Sequence, residues 1–279
     1  MENLYIIHTS GSTGSPKAVA YTHSALFAVG ALDTIAYNLT PKSVMIVDRN
    51  QGLPFLRRTF DAIASGCNLV SYRGPEKESL RLAILEKKVT HLCCLATTFR
   101  WIATGVFIFP EVQLVEIGGE MCNWDDIRLM RERFPNAVHM VRYAVSEVHF
   151  VTRGIIPHDR PLEEGRLPVG IPIEGVEINI VDHNGEVIPN FKSEGKIGEI
   201  VVKSPYAADG YYNDPQLTAA KFKPLGYFTG DLGYFLPDGW LAHCGRKDFN
   251  SEWIPRRTPD DLTVGEKLSR IANKTIGSL

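Results

Sequence analysis

Residues 8–19, HTSGSTGSPKAV, hold a dense concentration of groups that could do chemistry: seven of the twelve are Ser, Thr or Gly. A loop of that composition can turn several backbone N–H groups to one point. Gly11 and Gly14 permit the tight or left-handed conformations this requires. Ser10, Ser12 and Thr13 add hydroxyl donors, and Lys17 adds a compact positive charge. Those donors suit a polyphosphate. The loop is not the Gly-Lys-Ser/Thr ending of a P-loop NTPase, because Pro16 precedes Lys17 and Ala18 follows it. The competing reading of any Ser/Gly run is a flexible surface loop, and the elements on either side weigh against it.

Residues 4–8 form an apolar run that reads as a buried strand. Thr22 is an N-cap, with Leu26, Val29, Leu32 and Ala36 following at helical spacing. The pattern predicts strand, glycine-rich loop and helix in that order. Alternation continues: SVMIVD, NLVSY, VTHLCCLA and AVHMVRY read as strands, and Leu80, Ala83 and Ile84 mark a helix. Asn123 caps a further helix, with Asp126 at the third turn position and Ile127, Met130 and Phe134 on its apolar face. Strands alternating with helices predict an α/β layer with a mostly parallel sheet. From about residue 165 the texture becomes β-rich and antiparallel. Asn184-Gly185 marks one hairpin and Pro237-Asp238-Gly239 another, with the strand GEIVVKSP between them.

The 279 residues carry a net charge of −2 and are 44% hydrophobic, so no global field recruits nucleic acid or an anionic membrane. The five cysteines are odd in number and lack the spacing of a zinc knuckle, which points to reduced thiols and the cytoplasm. No run approaches the roughly 20 apolar residues of a membrane span, and the first residues, MENLY, do not resemble a signal peptide.

Six motifs then occur in a familiar order. YIIHTSGSTGSPKAVAYTH resembles the phosphate loop of the adenylate-forming superfamily, which includes acyl-CoA synthetases, luciferases and nonribosomal peptide synthetase adenylation domains. EIGGE at 116–120 resembles the segment beside that family's adenine and acyl pocket, and YAVSE at 143–147 its Tyr-Gly-x-Thr-Glu. GEIVVKSPYAADGYYNDPQLTAAKF, YFTGDLGY and GRKD resemble the following strand and turn, the ribose-binding motif and the start of the hinge. The resemblance covers about residues 4–248.

It implies activation of a carboxylic acid with ATP and Mg²⁺ to give an acyl-adenylate and pyrophosphate. Thr9, Ser10, Gly11, Ser12, Thr13, Gly14 and Lys17 would then cradle the β- and γ-phosphates, whose leaving charge needs preorganised donors. Glu147 would hold Mg²⁺, with Ser146 beside it in place of the usual Thr. Tyr143 would pack on the adenine, with Gly118, Gly119, Glu120 and Ala144 lining the same pocket. Asp231 would accept from the ribose hydroxyls, Arg246 would support the ribose and phosphate side, and Asp248 would mark the hinge. Ala18 and Ala144 stand where the family has glycine. Leu53 falls where amino-acid-activating members carry an aspartate, which favours an acid without an ammonium group.

The same resemblance implies incompleteness. Residues 1–250 would be an adenylation core without the family's long N-terminal region and small C-terminal domain. A linker at 251–262 and an amphipathic helix at 263–279, similar to the start of a carrier domain, would follow. Lys247, Lys267 and Lys274 lack the motif of the family's catalytic lysine, and losing one transition-state donor costs on the order of 10²–10³ in rate. The chain alone is therefore expected to be a weak or inactive ligase. The alternative is a non-catalytic ATP- or AMP-binding remnant or subunit that needs a partner chain. Acceptors implied by the family are a carrier-protein phosphopantetheine or CoA.

Overall fold

The computed structural model describes residues 3–9, 17–48, 53–72, 77–189 and 195–247. Its elements run β1 (Asn3–Thr9), β2 (Lys17–Thr22), α1 (His23–Ala36), β3 (Val44–Asp48), α2 (Leu53–Ser65), β4 (Asn68–Tyr72), α3 (Lys77–Glu86), β5 (His91–Leu95), α4 (Ala96–Ala103), β6 (Leu114–Gly118), α5 (Trp124–Arg133) and β7 (Val138–Val145). There follow β8 (His149–Ile156), β9 (Ile171–Pro172), β10 (Glu177–Val181), β11 (Val187–Ile188), β12 (Gly198–Lys203), β13 (Gly210–Tyr211), α6 (Pro215–Lys221), β14 (Phe222–Lys223), β15 (Gly226–Phe235) and β16 (Leu241–Arg246).

A seven-stranded sheet in the order β4-β3-β5-β6-β7-β8-β9 forms the α/β layer. Its first five strands are parallel, and β8 and β9 turn antiparallel. Alternation along the strands divides its faces. Ile46, Leu92, Cys94, Val115, Ile117 and Val141 pack with Ile84 of α3, Phe99 of α4 and Ile127 of α5. The opposite face sets Met45, Cys93, Leu114 and Met140 against Tyr37 and Leu39 just after α1. Two smaller sheets follow: β11-β10-β12-β15-β14 with β16 on β15, and β1-β2-β13. The antiparallel second half anticipated from the hairpin signals is present, with Gly185 and Gly239 at φ 86° and 83° in its turns.

Two expectations about the opening residues need correction. Strand β2 intervenes between the glycine-rich loop and α1, so Lys17 begins a strand that pairs with β1 and β13. KAVAYT favours this because Val19, Ala20 and Tyr21 are buried in the sheet. Strand β1 is also not a buried strand: it lies at the edge of its sheet, and Ile6 is 43% exposed. Thr22 caps α1 as expected, accepting from the Ala25 N–H at 3.3 Å. Asn123 and Asp126 form a reciprocal capping box on α5. The linker and helix expected at 251–279 lie outside the described residues.

Candidate nucleotide and acid site

The carboxyl ends of β5, β6 and β7 lie side by side, where ligands gather in open parallel sheets. Gly118 ends β6 opposite Arg142 of β7. A Cβ at Gly118 would lie 2.5 Å from Arg142 Cγ and 2.6 Å from its carbonyl oxygen, so only glycine allows this approach. Gly119 follows at φ +74° and turns the chain out of the sheet. Glu120, expected to line the adenine pocket, sends its carboxylate to helix α4. It accepts from Thr97 N–H at 2.8 Å and Thr97 Oγ1 at 3.0 Å. Leu95 cannot cap that helix with its own side chain, so Glu120 supplies the negative charge at the N-terminus.

Tyr143 lies at the end of β7, and its hydroxyl donates to Asp231 Oδ2 at 2.5 Å. Asp231 sits in β15 after Gly230 and is 5% exposed. Its Oδ1 faces Arg246 Nη1 at 3.4 Å and His243 Nε2 at 3.9 Å. Arg246 Nη1 also donates to the Thr229 carbonyl at 3.3 Å. Burial alone would raise the Asp231 acid strength midpoint, but His243, the Tyr143 hydroxyl and the Arg246 charge hold it below the usual carboxylate range. The expected adenine and ribose residues Tyr143, Asp231 and Arg246 are thus brought together. Ala144 is half-buried beside them, next to the irregularity in the β7–β8 pairing.

Four residues after Tyr143, Glu147 lies in the turn between β7 and β8. Its Oε1 accepts from the Tyr211 hydroxyl at 2.7 Å, which lies 3.1 Å from the Tyr227 hydroxyl. Lys17 Nζ stands 5.8 Å from the centre of the Tyr211 ring. Thr9 and Lys17, on either side of the glycine-rich loop, are Cα partners in the β1–β2 pairing. The Ser146 backbone carbonyl accepts from the Tyr21 hydroxyl. Burial, then the Glu147 charge, raise the Tyr211 hydroxyl far above its ordinary range, while Arg246 opposes them. Arg246 and Tyr211 therefore lie within electrostatic reach, which links the Asp231 and Glu147 groups. Ser10, Gly11, Ser12, Thr13, Gly14 and Asp248 lie outside the described residues.

The connectors Tyr21, Tyr211, Tyr227 and His243 were not singled out from the sequence. Tyr211 lies inside a quoted motif, GYYNDP, but nothing local distinguishes it from Tyr212, which is 47% exposed. Among the described residues no group of three His, Cys, Asp or Glu side chains could hold a metal. Glu147 alone fits only an ion that takes most of its ligands from phosphate and water, as Mg²⁺ does. No described helix is long and apolar enough to cross a membrane.

A family model for AMP-binding enzymes matches residues 1–212. The chain belongs to that family. Among curated AMP-binding relatives, the D-alanine–D-alanyl carrier protein ligase of Bacillus cereus (strain G9842) is 28% identical, over 89% of this chain and 51% of its own length. The ligase of that name from Bacillus anthracis is 27% identical over the same shares. The chain thus spans about half the length of these relatives. Among solved structures, the nonribosomal peptide synthetase FmoA3 in its AMPPNP-bound form superposes with a TM-score of 0.77 at 25% identity. That match covers 88% of this chain and 28% of FmoA3. O-succinylbenzoate coenzyme A synthetase from Bacillus subtilis, in complex with AMP, has the same fold, with a TM-score of 0.75 at 21% identity, covering 88% and 50%.

Proposed function

We propose that this chain binds ATP between the Glu147 and Asp231 groups and activates a carboxylic acid as an acyl-adenylate. The observation that carries the reading is the convergence, at the end of β7 and the turn after it, of two groups far apart in sequence. Tyr143 gathers Asp231 and Arg246, and Glu147 gathers Tyr211 and, through its ring, Lys17. Four residues of chain span at most about 14 Å, the scale of a nucleotide triphosphate.

Each residue then has a task it is chemically suited to. Asp231, held ionised, accepts from the ribose hydroxyls, and Arg246 steadies that carboxylate and the phosphate side. Tyr143 presents its ring to the adenine while its hydroxyl stays on Asp231. Lys17, with Thr9 and the residues 10–14, meets the charge of the departing pyrophosphate. Glu147 would hold Mg²⁺, which supplies charge neutralisation on the phosphates when bound. Ser146 lends its backbone to position that turn.

The curated relatives are carrier-protein ligases by name, which supports a carrier thiol as the acceptor and leaves CoA as the other thiol of the family's chemistry. Residues 1–250 act as the adenylation core.

Substrate-dependent exchange of pyrophosphate into ATP is the test. Exchange above a Lys17→Ala control, with a panel of acids, supports adenylation. Calorimetric binding of AMP-PNP with Mg²⁺ but no exchange reassigns the chain as a non-catalytic nucleotide-binding subunit. No nucleotide binding by a folded sample overturns both.

A further inference from the structure

Beneath α1 and α2 lies a layer of buried charge that the nucleotide reading does not use. Asp33, Asp61 and Glu116 are each 0% exposed. Arg58 meets Asp33 at 2.9 Å and Asp61 at 3.0 Å. Arg142 and Arg153 meet Glu116 at 2.6 Å and 3.2 Å, and Arg153 also meets Asp33. Three carboxylates are therefore shared among three arginines.

Arg57 is a fourth guanidinium in the same layer, 5% exposed, and among the described residues no carboxylate pairs with it. Its Nε donates to His149 Nδ1 at 3.0 Å, and its guanidinium lies 4.2 Å from the centre of the Phe150 ring. Burial and the neighbouring Arg142 push its proton affinity down, to about 10. Burial also pushes the Asp61 carboxyl up despite Arg58 beside it. Arg57's two terminal nitrogens donate to no acceptor among the described residues. A buried cation with unmatched donors is costly unless an anion completes it.

The position of Arg57 says which anion. Its partner His149 packs against Tyr21 with ring centres 4.2 Å apart and planes tilted by 44°, and the Tyr21 hydroxyl lies within electrostatic reach of both Arg57 and Glu147. Arg57 is thus one ring behind the turn proposed to hold Mg²⁺, and under the adenylation reading the reacting carboxylate meets the phosphates beside that ion. Leu53, one helical turn earlier on α2, is buried and offers no counter-charge.

We propose that Arg57 binds a second carboxylate on the acid substrate, so that the chain selects a dicarboxylic acid over its monocarboxylic counterparts. The proposal deepens the adenylation reading and rests on it. A planar guanidinium whose Nε is already committed to His149 presents its remaining edge to a carboxylate, and such charge-assisted pairs discriminate strongly.

The test is calorimetry on the full chain with AMP-PNP and Mg²⁺ present, comparing succinate and glutarate with their monomethyl esters. The expected result is that a diacid binds at least ~10-fold more tightly than its half-ester, a difference of about 1.4 kcal/mol. Arg57→Gln should bring the two within about twofold of each other, and Arg57→Lys should recover part of the preference. Equal binding of diacid and half-ester by the unaltered chain overturns the proposal, as does a preference that survives Arg57→Gln. Binding of AMP-PNP with no binding of either diacid also overturns it while leaving the nucleotide site standing. No AMP-PNP binding by a folded sample removes the adenylation reading itself.

Discussion

The Tyr143 hydroxyl and the Asp231 carboxylate are 2.5 Å apart, joining the end of β7 to β15 across 88 residues of chain. The bond ties the parallel sheet to the antiparallel one where both reach the site. Tyr143 and Asp231 are 8% and 5% exposed, so the bond works in a desolvated setting where an unmet carboxylate is expensive. Tyr143→Phe removes the donor and keeps the ring. A hydrogen bond to a charged group contributes roughly 1.5–3 kcal/mol, and urea unfolding at neutral pH should show a loss of that order. No measurable loss would mean that Arg246 and His243 satisfy Asp231 without it.

The same carboxylate sets a sign for acid stability. Its folded midpoint is depressed, so the unfolded chain binds the proton more readily. The stability Asp231 contributes is fully present above the unfolded value of about 3.9 and is lost as pH falls through the folded one. His139, 0% exposed and lowered to about 4 by burial, acts in the same direction over a higher window. Between about pH 6.5 and 4 the unfolded imidazole takes up a proton that the folded one refuses, for a slope of up to about 1.4 kcal/mol per pH unit. Denaturation midpoints from pH 7 to pH 3 should decline in both windows. His91 and His149 are lowered by burial in the same sense, so His139→Gln should reduce the upper decline by about one group's share, and an unchanged slope there would assign the decline to those two.

Gly118→Ala places a methyl group 2.5 Å from Arg142 Cγ and 2.6 Å from a backbone carbonyl in the adjacent strand. The carbonyl cannot yield without moving β7. Overpacking of this kind costs typically about 1–3 kcal/mol, and the displacement would be felt next door at Tyr143. Thermal unfolding and AMP-PNP affinity should both fall; a fully stable variant would show that β6 and β7 stand further apart than described.

Glu116→Gln tests the buried charge layer. The carboxylate receives Arg142, Arg153 and the Tyr37 hydroxyl, the last at 2.6 Å. Burial opposes its ionisation, and the guanidinium charges overcome that and keep it below the ordinary glutamate range. Neutralising it leaves Arg142 without a counter-charge, and breaking a buried pair costs about 3–5 kcal/mol. Chemical denaturation at neutral pH should register a loss of that size, and a neutral outcome would imply that water reaches the layer.

Much of the framework is legible in the sequence because it depends on neighbours a few residues apart. The strands SVMIVD, NLVSY and VTHLCCLA announce themselves as apolar runs too short for helices, and they became β3, β4 and β5. Helix α2 is less legible: LPFLRRTFDAIAS buries Arg57, Arg58 and Asp61 on the face where a helix ordinarily buries leucines. Its charges make sense only once Asp33, Glu116 and Arg153 are packed opposite. Glu120 is legible only in part for a related reason, since a motif draws attention to it while its capping of the first turn of α4 appears only in the fold.

Sequence alone determined what short-range forces decide: the Thr22 and Asn123 caps, the turns at Gly185 and Gly239, and the residue types available for phosphate, metal and ribose. Each of these is settled by hydrogen bonds and dihedrals within four or five residues. Tertiary structure alone decided the meetings. Glu147 finds Tyr211 from 64 residues away, and Tyr143 finds Asp231 from 88. Lys17 reaches the Tyr211 ring only because β2 pairs with β13, and Arg57 is left unmatched among the described residues because Asp33, Asp61 and Glu116 pair with other arginines. Such outcomes depend on strand order and on the sum of charges in a closed space, and neither quantity exists until the chain has folded.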